Sequence, residues 1–145
     1  MRLIAEIKDR QPEMASWRQH LHQCPEIAYE EEMTSAFVAA KLESFGIEVH
    51  RGLGKTGIVG VIHGQDSDDG PVPAIGLRAD MDALPMEERT NLSYASRHPN
   101  RMHACGHDGH TTMLLGAAQY LAAKRHFEGK VYCIFQPAEE GGHAG

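Results

Sequence analysis

Lys130-Val131-Tyr132-Cys133-Ile134-Phe135-Gln136-Pro137-Ala138-Glu139-Glu140 is the stretch that decides the fold class. Val131 to Phe135 is apolar without alternation, as expected of a strand covered on both faces. Pro137 then stops the strand, and two adjacent carboxylates follow its end. Upstream, Gly109 to Arg125 reads as a helix with Met113, Leu114, Ala117, Ala118, Tyr120 and Leu121 on one face. Further upstream, the short apolar run Ala74 to Leu77 leads into Arg78-Ala79-Asp80-Met81-Asp82. Strand, helix and strand in that order predict an α/β layered fold. Ligands of such sheets gather beyond the C-terminal ends of the strands. Two strand ends here carry carboxylates: Asp80 and Asp82 after one, Glu139 and Glu140 after the other.

The N-terminal half fits the same plan. Leu3 to Gln23 reads as helix, with Pro12 opening a second segment in its first turn and Trp17 and Leu21 on one packed face. His20 and His22 read as helix surface or edge. A second helix is expected from Glu30 to Phe45, with Phe37, Val38, Leu42 and Phe45 inward and Gly46 as its cap. The acidic run Glu30-Glu31-Glu32 reads as its solvated start. Ile47-Glu48-Val49 and Gly57 to His63 then read as strands, and residues 85–100 as loop. The Gly-Leu-Gly-Lys-Thr-Gly connection (52–57) lacks phosphate-loop spacing and reads as a turn, and 65–70 as a polar surface turn too short for a calcium-binding loop. Neither internal repeat nor interdomain linker is visible.

Composition removes several function classes. The chain has 145 residues, 41% hydrophobic and 23% charged, with net charge −6, so a general nucleic-acid surface is not expected. Three widely spaced cysteines do not form a disulfide framework and point to a reducing, cytoplasmic setting. No apolar stretch reads as a signal peptide or a membrane span.

Chemistry concentrates in His103-Ala104-Cys105-Gly106-His107-Asp108-Gly109-His110. Thiolate, imidazole and carboxylate are ligands for a borderline divalent ion. Cys105 and His107 can share a site only if this segment is extended, and the following helix would bring its positive N-terminus near, favouring thiolate. A Cys–His nucleophilic pair, a closed structural zinc site and a purely structural His-rich loop compete with this reading. The first lacks an acyl-transfer signature, and the second lacks paired Cys or His spacing. Glu139 and Glu140 favour the metal reading, since one carboxylate can stay ionised as a ligand while its neighbour cycles a proton.

Leu77–Pro85 (LRADMDALP), His103–Ala118 (HACGHDGHTTMLLGAA) and Phe135–Gly142 (FQPAEEGG) together resemble the aminoacylase and hippurate hydrolase group. These are N-acyl-amino-acid amidohydrolases of the zinc-exopeptidase superfamily that includes carboxypeptidase G. Trp17–Glu31 (WRQHLHQCPEIAYEE) resembles their opening helix, so the likeness runs along essentially the whole chain. It implies a three-layer αβα catalytic domain with a mixed sheet, of which residues 1–145 are the N-terminal part. The lid or dimerisation domain, two further histidine ligands and the rest of the catalytic domain would lie outside it.

The resemblance also implies two divalent ions, zinc, manganese, nickel or cobalt, about 3.5–4 Å apart and activating a water. Cys105 matches the bridging ligand, His107 a ligand to one ion, Glu140 a ligand to the other, and Glu139 the general base. Arg78 stands where broader relatives carry a metal-binding histidine, so His107 takes that place and Asp80 matches the acid that orients it. The implied substrate is a small N-acyl amino acid, hippurate-like or N-acetyl, and full-length relatives are expected to form homo-oligomers. The chain alone is expected to be inactive, with an uncovered edge and face at strand 131–135 that favour association. From a different class comes a non-catalytic metal-binding or interaction module, for which tight stoichiometric metal in the isolated chain would speak.

Overall fold

Pro12 sits in the first turn of a helix, where its missing N–H would be unpaired anyway. Arg10 separates α1 (Ala5–Asp9) from α2 (Gln11–Gln23), the helix that holds Pro12. Next come α3 (Glu32–Ser44), β1 (Glu48–Leu53), β2 (Gly57–His63), β3 (Ala74–Asp80), α4 (His107–Lys124) and β4 (Lys130–Gln136). The computed structural model describes residues 4–65 and 73–140; most of the expected 65–70 turn therefore lies outside the described residues.

The sheet is mixed, in the order β1-β2-β4-β3. β1 and β2 form an antiparallel pair, β2 runs antiparallel to β4, and β3 runs parallel to β4. Parallel pairing requires a crossover, and the stretch containing α4 supplies it. The register sets Asp80 beside Gln136. As a result both carboxylate-bearing strand ends, and the start of α4, meet at one end of the sheet.

Burial along β4 alternates, which departs from the expected strand covered on both faces. Val131, Cys133 and Phe135 are buried, whereas Ile134 is 37% exposed. Val131, Cys133 and Phe135 pair with Ile62, Gly60 and Ile58 of β2, so one face of the two strands packs on the helices. Leu42 of α3 lies over Gly60, where even a methyl group would crowd its side chain. Among the described residues the helical layer covers this one face. β4 is also an inner strand, so among the described residues the sheet edges are β1 and β3, not residues 131–135.

The helices follow their apolar stripes with some corrections. Trp17, Leu21, Val38, Ala39, Leu42, Leu114, Leu115, Ala118 and Ala122 are buried. Met113, placed inward by sequence, is 60% exposed, and Leu115 takes the core position instead. The acidic run 30–32 is not uniformly solvated: Glu31 is fully buried. The first amides of α3 find their acceptor in Glu26, whose carboxylate takes the N–H groups of Met33 (3.0 Å) and Thr34 (2.8 Å). Gly46, just past α3, has φ of +69°, as the expected helix end requires.

Candidate metal centre

α4 begins at His107, two residues earlier than its sequence pattern indicates. Gly106 makes this possible. It precedes the helix with φ of +84°, a conformation in which side-chain-bearing residues are strained, and turns Cys105 toward the helix N-terminus. His107 and His110 then lie three apart in the first turn, on one face, with rings 5.5 Å apart.

Asp82 fixes the ring of His107. Its backbone carbonyl lies 2.8 Å from Nδ1 and accepts that proton, with the carboxylate Oδ1 at 3.2 Å. Nε2 therefore faces the other way, into a ring of acids: Asp80 Oδ1 at 3.6 Å, Glu140 Oε1 at 3.7 Å and Glu139 Oε2 at 3.9 Å. The expected orienting role of Asp80 is thus corrected, because Asp82 holds Nδ1 while Asp80 lies on the Nε2 side. Asp80 instead meets His110 Nδ1 at 2.6 Å and accepts from Arg78 at 3.0 Å. Its backbone carbonyl accepts from the Thr111 hydroxyl at 2.9 Å, tying β3 to α4.

The second arm of Asp82 reaches the other strand end, where Oδ2 accepts the Glu140 N–H at 2.8 Å. One buried carboxylate thereby links His107 to the Glu139–Glu140 segment. Sequence reading noted Asp82 only as one acid at a strand end; its place one alternation beyond Asp80 is the signal that it could reach the same site. Burial pushes the Asp82 carboxyl up, but hydrogen bonds from His107 and the backbone of Glu140 and Glu139 outweigh it and hold the group below its ordinary value. Burial lowers the His107 imidazole, while the Asp82 hydrogen bond and the charges of Asp80 and Asp82 prevail and raise it.

Cys105 Sγ, one His107 ring nitrogen and a Glu140 carboxylate oxygen all lie within 4.8 Å of one another. Asp80, His107 and His110 form a second such group that shares His107. The expected ligands are therefore neighbours, and Glu139, 41% exposed at its side chain, stands at their edge. Without a cation, hydrogen bonding to Glu140, with the nearby acids, raises the Cys105 thiol. A thiol, an imidazole nitrogen and converging carboxylates suit a borderline divalent cation, whose charge would offset the crowded acids and displace the thiol proton.

Behind this centre lies a buried polar network that sequence reading missed. His22, expected at the surface, is 3% exposed and spans Asp108 Oδ2 (2.8 Å) and Glu88 Oε1 (3.2 Å). Arg18 donates to the same Asp108 oxygen at 3.1 Å. Glu88 in turn accepts the Ser96 N–H at 2.6 Å and anchors the irregular 85–100 segment. His103 is 5% exposed, and both ring nitrogens lack partners among the described residues; burial pushes it down to about 4.

The Peptidase family M20/M25/M40 pattern matches residues 76–145, the stretch that contributes most of this centre. Residues 76–145 carry M20-family sequence. Hippurate hydrolase of Campylobacter jejuni is 54% identical over 141 residues, covering 97% of this chain and 36% of that protein. N-acetyl-L-cysteine deacetylase of Bacillus subtilis is 50% identical over 126 residues, covering 86% and 29%. A putative aminohydrolase from methicillin-resistant Staphylococcus aureus superposes with TM-score 0.90 at 38% identity, over 96% of this chain and 36% of its own. A Bacillus subtilis protein, a dinuclear metal-binding peptidase of the M20 family, superposes with TM-score 0.85 at 40% identity, over 92% and 36%. The chain thus spans about a third of the length of these relatives. Among the described residues no helix is long and apolar enough to cross a membrane.

Proposed function

We propose that residues 1–145 are the N-terminal part of the catalytic domain of a two-metal amidohydrolase that cleaves the amide of small N-acyl amino acids. The observation that carries this reading is the mutual approach of Cys105, His107 and Glu140 within 4.8 Å, beside Glu139. Cys105, His107 and Glu140 would hold the metal. Bound divalent metal would supply Lewis acidity and a lowered water pKa. Glu139 stands at the mouth, where its carboxylate can take a proton from water as the oxygen attacks the amide carbon. The same carboxylate returns that proton to the leaving nitrogen, so one C–N bond breaks, one C–O bond forms, and an acid and a free amine result. Asp82 keeps Nδ1 of His107 protonated and leaves Nε2 for a ligand role. A substrate class of hippurate or N-acetyl amino acids is supported by the names of the hippurate hydrolase and the N-acetyl-cysteine deacetylase. Free cysteines at 24, 105 and 133 suit a reducing, cytoplasmic setting.

A chimera tests the proposal. Residues 1–140 replace the matching segment of the Campylobacter hippurate hydrolase, and the product is assayed on hippurate and N-acetyl amino acids. Hydrolysis is expected, and Glu139→Gln should abolish it while metal content is retained. A folded, metal-loaded chimera without turnover, or one indifferent to Glu139→Gln, contradicts the assignment.

A further inference from the structure

Glu31 is fully buried, yet none of the metal-centre contacts involve it. It sits just before α3, and its carboxylate spans two distant parts of the chain. Oε1 accepts the N–H of Ala138 at 2.8 Å, and Oε2 accepts the hydroxyl of Thr56 at 2.6 Å. Ala138 is itself fully buried and has φ of +53°, a left-handed conformation that an alanine adopts only when its surroundings hold it there. That residue makes the turn from β4 into Glu139 and Glu140. The neighbouring Thr56–Gly57 segment packs beneath the same turn, so closely that a side chain on Gly57 would meet Leu53 O at 2.3 Å and the Pro137 ring at 3.1 Å.

A buried carboxylate is costly unless hydrogen-bonded, and this one meets an amide that would otherwise be orphaned. We propose that Glu31 is a positioning residue: by holding the Ala138 amide it fixes the turn that aims Glu139 and Glu140 at His107 and Cys105. Where Asp82 grips this segment from β3, Glu31 grips it from α3, and Thr56 fixes the second oxygen of Glu31. The inference rests on the metal-centre reading for its consequence, but the placement of the turn stands on its own contacts.

The test compares wild type with Glu31→Met, which keeps the length and removes the acceptor, and Glu31→Gln, which keeps an acceptor for the Ala138 amide. In amide-resolved NMR, Glu31→Met should shift the resonances of Ala138, Glu139 and Glu140 and strip Ala138 of exchange protection. Glu31→Gln should largely preserve them. In titrations with cobalt(II) alone, Glu31→Met should bind about 10- to 100-fold more weakly, with Glu31→Gln recovering most of the loss. Thr56→Val, a milder change, should act in the same direction should Glu31→Met not fold. Leu42→Ala in the core controls for stability, since it should unfold the chain more easily without weakening cobalt binding. Unmoved amides at 138–140 in Glu31→Met, or in Thr56→Val where Glu31→Met does not fold, overturn the proposal. So does cobalt affinity equal to wild type. If the isolated wild type binds no cobalt, because part of the implied ligand set lies outside residues 1–145, the amide shifts alone decide the role of Glu31.

Discussion

Replacing Asp82 by Asn keeps the side chain's shape and removes its charge. The carboxylate is buried and accepts on both oxygens, from His107 Nδ1 at 3.2 Å and from the Glu140 N–H at 2.8 Å. An amide can accept on only one side, so its NH2 group must face either His107 Nδ1 or the Glu140 N–H, donor against donor. One charge-assisted hydrogen bond is lost and a buried donor is left unpaired, for a cost of about 2–3 kcal/mol. That is a large share of the roughly 5–15 kcal/mol that holds a typical domain folded. Urea unfolding at pH 7 should therefore show a lower midpoint at unchanged slope. Because the folded Asp82 pKa lies below its ordinary value of 3.8, its stabilisation is fully present above that value and disappears as pH falls through the folded pKa. The gap between wild type and Asp82→Asn should accordingly close on strong acidification, over the range where both remain folded. A difference within about 0.5 kcal/mol at pH 7, or a gap that widens in acid, would refute the tethering role.

His103 also destabilises the fold on acidification, but at higher pH than Asp82. Its folded pKa of about 4 lies below the ordinary 6.5, so the unfolded chain binds the extra proton between those values. Stability should fall from pH 6.5 toward 4 by at most about 3 kcal/mol, and His103→Phe should flatten that part of the profile in urea melts; identical profiles contradict it. Alkylation of the native chain should reach the exposed Cys105. Cys133 is fully buried with its thiol pushed up to about 11, and should react only in denaturant, as peptide mapping will reveal. Leu115→Ala, at a fully buried position between sheet and helices, should cost about 2–5 kcal/mol in the same melts, whereas Met113→Ala on the exposed side should cost little.

The element order was legible because each period was unmixed. Gly57–His63 came out residue for residue, and the β3–α4–β4 crossover followed from apolar runs separated by a helical stripe. Coverage of β4 was misread because an apolar run does not tell whether its outer face meets a second layer; Ile134 is apolar and exposed. The helix start was missed by two residues because Gly106, rather than Gly109, makes the turn, and both glycines are equally visible in sequence. Proximity of Cys105, His107 and Glu140 was foreshadowed by motif. The tethers were not: Asp82, Glu31 and the His22–Asp108 pair act across 25 to 107 residues, a separation at which local periodicity carries no information.

The central claim is that Cys105, together with His107 and Glu140, holds the divalent metal of this centre. Cobalt(II) absorption spectroscopy of the hippurate hydrolase chimera carrying residues 1–140, at saturating metal, tests it most directly. The account predicts a thiolate-to-cobalt charge-transfer band that vanishes in Cys105→Ser, with affinity lowered in His107→Ala and Glu140→Gln. A band that persists in Cys105→Ser, or saturating cobalt bound with no thiolate band in wild type, would contradict it.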